Sequence, residues 1–247
     1  MKVLTSTYTI FFPQILNIRE HFFEFEKALS DSFIKPFMLE PLPDDAPVEI
    51  PRIRAGSADG NRALNITPQS AQIIFNNAKN ESINQLLDGI KKIRGSINNT
   101  IADVIGEGNF LFSGLSTVVE ISVPDPVSLL REKFVAAKIN SDTPCKLYDA
   151  LFRISVVYES DYFINIEMSN RRYYMGVPSG LSIVGLKEQP QQLGVMIDIN
   201  DRRAFNIKKD YRTDVMHMDK IISISALMVN EKIEKFMNSG ELELKHE

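Results

Sequence analysis

The sequence predicts an α+β protein: antiparallel sheets backed by helices, with a tandem pseudo-repeat in which the order β-α-β-β-β-α runs twice. Three observations predict it. Apolar residues recur at helical spacing in two clear stripes, Ile15-Ile18-Phe22-Phe25-Leu29 and Ile83-Leu86-Ile90-Ile93-Ile97-Ile101-Val104. Short segments rich in Thr, Tyr, Phe, Ile and Val lie between turn-forming clusters, as strands do. The two kinds of segment then follow one another in the same order twice.

Residues 3–12, VLTSTYTIFF, read as a strand that ends at Pro13. The first helix follows, with Asn17 and Glu20 placed for a capping box. Pro36, Pro41, Pro43, Pro47 and Pro51 forbid a regular element over 36–51, which predicts an extended surface loop that would also suit recognition of a partner. Strands at 50–55 and 62–67 flank Ser57-Ala58-Asp59-Gly60, where Gly accepts the positive φ of a hairpin turn. A third strand is expected at 71–75. The helix over 82–105 is the clearest element, opened by Ser82 and Gln85 as a capping box and stopped by Gly106 and Gly108.

A long strand bent at Gly114 is expected over 110–123. Asp125 caps the next helix, with Pro126 in its first turn, and the helix should reach about Lys138. Strands follow at 150–158 and 162–168, joined around Glu159-Ser160-Asp161, with a further one at 171–175. The Gly/Pro/Gln-rich stretch 176–193 allows only a short strand. A strand at 194–200 precedes the last helix, which begins at Thr213 or Asp214, reaches Asn238 and ends at Gly240. The polar tail should fray.

Residue matches support the repeat. Arg19-Glu20-His21-Phe22 corresponds to Arg131-Glu132-Lys133-Phe134, and at that offset Ile15, Ile18 and Phe25 align with Val127, Leu130 and Ala137. Arg52-Ile53 corresponds to Arg153-Ile154, and Leu64-Asn65-Ile66 to Ile164-Asn165-Ile166. The expected halves are residues 1–106 and 107–247, the second packed intimately on the first. A sheet with helices on one face leaves its other face or an edge as an association surface, so an oligomer or a protein partner is expected.

Composition narrows the function. With 28 Lys and Arg against 32 Asp and Glu, the net charge is −4, which disfavours nucleic acid as a partner. Cys145 is the single cysteine, so no disulfide can form within the chain and a cysteine zinc site is disfavoured. The N-terminus lacks the continuous apolar run of a signal peptide, and no segment approaches the ~20 apolar residues of a membrane span. A cytoplasmic protein of bacterial type, without a membrane partner, is expected.

Candidate chemistry is sparse. Asp198 and Asn200 share one face of a strand, and with Asp201 and Glu167 they could hold Mg²⁺ while Arg202 and Arg203 steady a phosphate. The plain alternative is a strand end followed by an Asn-Asp turn. His217 lies near Asp214, but no Gly-x-Ser-x-Gly nucleophile accompanies the pair, and His21 and His246 stand apart. Cys145 follows Pro144 without an evident base. Gly106-x-Gly108 leads into a strand, the wrong order for a dinucleotide site. Arg171-Arg172-Tyr173-Tyr174 mixes basic and aromatic residues as a nucleic-acid platform or a hairpin corner would. Arg54 and Arg62 flank the first hairpin turn. Met216, Met218, Met228 and Met237 suit a core or an adaptable surface.

The expected function is a non-enzymatic binding or adaptor protein that acts through protein–protein contacts and needs no cofactor. Arg54, Arg62, Arg171, Arg172, Arg202 and Arg203 are its candidate surface residues. The alternative is a metal-dependent phosphoryl-transfer enzyme or nuclease centred on Asp198 and Asp201.

Overall fold

The computed structural model describes residues 1–43, 45–135, 147–177 and 184–244. Its frame is a nine-stranded antiparallel sheet. The first half of the chain supplies β1 (Lys2–Phe11), α1 (Phe22–Leu29), β2 (Met38–Leu39), β3 (Ile53–Gly56), β4 (Arg62–Ile66), β5 (Ser70–Asn76) and the long α2 (Ile83–Ile105). The second supplies β6 (Phe112–Ile121), α3 (Pro126–Leu130), β7 (Leu151–Tyr158), β8 (Tyr162–Arg171), β9 (Tyr174–Met175), β10 (Lys187–Glu188), β11 (Gln192–Asn200), α4 (Arg202–Ile207), α5 (Val215–Leu227) and α6 (Ile233–Ser239). Across the sheet the order is β2-β3-β4-β5-β1-β6-β11-β8-β7, and β9 and β10 form a separate two-stranded ribbon.

Local chemistry accounts for several helix boundaries. Ser82 accepts from the backbone N–H of Gln85, whose side chain returns the bond to the Ser82 N–H, so α2 opens with a full capping box. Gly106 then leaves the helix at φ 85°, open to glycine at little cost. Asp125 accepts from the Ser128 N–H at 3.0 Å and caps α3. Asp214 does the same for α5 through the His217 N–H at 2.9 Å. α5 runs into α6 through a π turn, Met228–Lys232, and Gly240 closes the helix at φ 76°.

Several expectations need correction. Asn17 donates to the Glu20 carboxylate at 2.8 Å, so the two side chains satisfy each other and give no side-chain cap to the backbone. The first helix is accordingly shorter, a 3-10 turn Ile18–His21 followed by α1, although its whole apolar stripe is buried. The β1–β6 ladder keeps its register through Gly114 and is irregular only between Val3 and Thr5. Gly114 permits close approach, since a Cβ there would stand 3.1 Å from the Cβ of Asn200. α3 ends at Leu130 and passes into a π turn over Arg131–Val135. The expected end of that helix near Lys138, Ala137, Cys145 and His246 lie outside the described residues. The loop 36–51 contains one short strand, β2, paired to β3. β8 extends to Arg171, so only Tyr174 and Met175 of the expected strand 171–175 form β9.

All the long helices lie on one side of the sheet. α2 packs on β1 and β5, α5 on β6 and β11, and α2 touches α5. Side chains therefore alternate cleanly: Ser6, Tyr8 and Ile10 of β1 are buried, while Thr5, Thr7 and Thr9 on the opposite face are half-buried. One continuous core results, from Phe25 and Leu29 through Ile90 and Ile97 to Ile197, Ile221 and Ile233. A chain of hydroxyls crosses it where β1 meets β6: Ser6 to Thr117 at 3.3 Å, and Thr117 to Ser225 of α5 at 3.3 Å. Among the described residues no helix is long and apolar enough to cross a membrane.

Candidate functional site

The face of the sheet turned away from α2 and α5 is the candidate site. Its middle is formed by the outward residues of β1, β5, β6 and β11. Over Gly114, where no side chain projects, lies a depression of about 260 Å³. Thr7, Thr9 and Ser116 bring hydroxyls to it, and Gln72 an amide. Phe11 and Phe112 stack at 4.2 Å to form an apolar wall. Asp198, Asn200 and Arg202 line the remaining side.

The structure brings part of the predicted acidic cluster together and separates the rest. Asp198 and Asn200 share the open face, as strand alternation requires. The Asp198 carboxylate accepts from the side-chain amides of Asn165 and Asn200, each at 2.8 Å. Glu167 is on the same face of β8 but opposite Met196 and Arg153, one step further along. Asp201 points the other way and is fully buried. It accepts from the Ser113 N–H at 2.6 Å and from the Tyr211 hydroxyl at 2.8 Å. Burial pushes its carboxyl above the usual range, against the opposing pull of hydrogen bonds from Thr213, Ser113 and Tyr211. Among the described residues no three His, Cys, Asp or Glu side chains converge closely enough to hold a metal ion.

The predicted arginines are dispersed. Arg54 pairs with Glu40 at 3.1 Å at the β3 end of the sheet. Arg62 lies over the Phe75 ring at 5.2 Å. Arg171 lies across Gly194, reaching Glu120 at 3.7 Å, and a side chain at position 194 would occupy its path. Arg172 pairs with Glu188 at 3.0 Å and stacks on Tyr148 at 4.1 Å. Arg202 sits over Phe112 at 5.6 Å, and Arg203 donates to the Ser160 carbonyl at 3.1 Å. Arg202 alone of the six lines the depression.

His217 bonds Asp214 at 2.7 Å at the exposed start of α5, where Asp214 is already engaged as the helix cap. Met218, Met228 and Met237 are core residues, whereas Met216 is exposed. Sequence reasoning missed Thr7, Thr9, Gln72, Ser116 and the Phe11–Phe112 pair. The alternation Thr5-Ser6-Thr7-Tyr8-Thr9-Ile10 already marked one threonine-rich face, but only the sheet order places it beside Ser116 and Asn200. No protein-family model matches the chain, and a comparison with curated proteins finds no match.

Proposed function

We propose that this protein is a binding or adaptor protein that receives a protein partner on the open face of its sheet. One observation carries the reading: nine strands form a single sheet whose long helices all pack on one side. At about 4.8 Å per strand, the sheet measures roughly 40 by 25 Å, on the order of 1,000 Å², and its open face is smaller by what Phe205 of α4 covers at Phe112 and Tyr173 covers at Glu120. A standard interface takes about 800 Å² from each partner, so the face approaches the size of one. Its chemistry also suits a protein surface. Phe11, Ile74, Val118, Phe163 and Met196 provide scattered apolar contacts among threonine, serine and amide groups, which can each meet a donor or an acceptor.

The reading is tested with a photo-activated crosslinking residue placed at Val118 or Met196 on the sheet face, and at exposed Lys92 on α2 as control. In the native host, the two sheet positions should join to one discrete protein other than this chain, and Lys92 should not. Absence of such an adduct from both sheet positions would sink the proposal.

The same reading takes the chain as a tandem duplication. Support comes from strand order: outward from the central pair run β5-β4-β3 on the β1 side and β11-β8-β7 on the β6 side. Each series leads to a long helix that starts at a side-chain-capped residue, at Ser82 directly after β5 and at Asp214 once α4 has intervened after β11. The short helices differ more, since α1 lies against α2 and α3 against β8.

A further inference from the structure

The two ends of the sheet are finished differently. At the β3 end, the loop after β2 folds over the edge. Arg52, nearly fully buried, donates to the carbonyls of Ala46 at 2.7 Å and Ile50 at 2.8 Å and so pins the loop in place. Ile53 beneath it is fully buried. At the other end β7 has one strand neighbour, β8, and among the described residues no second.

Among the described residues β7 shows few of the devices that normally blunt an edge, Arg153 being its one charge. Its sequence, LFRISVVY, has no proline, glycine or lysine, and its eight pairs with β8 run without a bulge. The core beneath it is only partly closed, by Phe134 and Phe236 against Phe152. Ile164, Ile166 and Met168 of β8 are fully buried, but Phe152, Ile154 and Val156 on the same face of β7 are only half-covered. Leu151 and Val157, on the open face, are exposed.

We propose that β7 is the strand through which two copies of this protein pair, antiparallel, about a twofold axis at Ser155. Placing the axis on a residue keeps inner side chains on the inner face in both copies, as a continuous sheet demands. Ser155 then meets its own counterpart, Ile154 meets Val156, and Phe152 meets Tyr158 as an aromatic cross-strand pair. Arg153, the one charge on the strand, falls opposite Val157 and never faces its like. A strand from an unrelated protein would satisfy the same backbone groups, but the second copy brings matching apolar residues to the half-covered core.

The proposal is independent of the sheet-face reading, since its test leaves Val118 and Met196 untouched. In light scattering the protein should show twice its 28.0 kDa chain mass. Ser155→Lys sets two ammonium groups against each other at the axis and should return the single-chain mass with an unchanged circular dichroism spectrum. Antiparallel partners lie about 4.5–5.5 Å apart at Cα, within disulfide reach. Ser155→Cys, in a Cys145→Ser background, should therefore form a disulfide dimer on mild oxidation, and Lys92→Cys in that background should not. A wild-type protein that stays monomeric overturns the proposal, as does a dimer that S155C fails to cross-link.

Discussion

Asp201 carries its carboxylate into the interior and uses it to tie β6, through the Ser113 N–H, to Tyr211 ahead of α5. Burial raises its pKa, so the native state keeps a proton at a pH where the unfolded chain has already released it. The native state then binds more protons, and this residue's contribution to stability falls as pH rises from the usual carboxylate range through the raised native value. Asp201→Asn keeps an acceptor for Ser113 and offers a donor to Tyr211. Urea unfolding should show that it flattens this part of the pH profile. Asp201→Ala leaves both partners unmatched and should cost about 1–3 kcal/mol. Gly194 is a second single-residue dependence. A Cβ there would stand 2.7 Å from Cδ of Arg171, so Gly194→Ala should displace that side chain and break its pair with Glu120. In a double-mutant cycle, Gly194→Ala with Arg171→Ala should depart from additivity by about 0.5–3 kcal/mol; simple addition of the two effects would refute the coupling.

At the scale of elements, α2 approaches β5 closely because Gly89 has no side chain. A Cβ at that position would lie 2.8 Å from a ring carbon of buried Phe75, over whose ring Arg62 also lies. Gly89→Ala gains about 1 kcal/mol of helix propensity but overpacks the core by about 1–3 kcal/mol. Thermal melting should show a net loss; a higher melting temperature would mean that the layers can part without penalty. α2 was legible from sequence because its cap, stripe and stop are all local: Ser82, Gln85, the isoleucines and Gly106 need nothing distant to act. α4 was not legible. Its first residues, Asp201-Arg202-Arg203, look like a charged turn, and Asp201 gives the helix no side-chain cap because its oxygens are spent on Ser113 and Tyr211. The path of Arg171 was hidden for the same reason, since Gly194 meets it only through the β8–β11 ladder.

For the whole molecule, the alternation of Thr and apolar residues in β1 announced a strand with two unlike faces. It could not say that the long helices would all settle on one face, because that depends on where every other strand and helix settles. The merging of both halves into one sheet rests on β1 with β6, and β6 with β11 then extends it, pairs between segments far apart in sequence. β11 is the decisive strand. It is the last strand in the chain, yet it lies between β6 and β8 and is the β7–β8 hairpin's connection to the sheet. On the ribosome, that hairpin must therefore wait, made but unattached, until residues 192–200 emerge. A chain cut short before them would leave that hairpin without its neighbour in the sheet, so the order of synthesis makes the final joining of the sheet a late event.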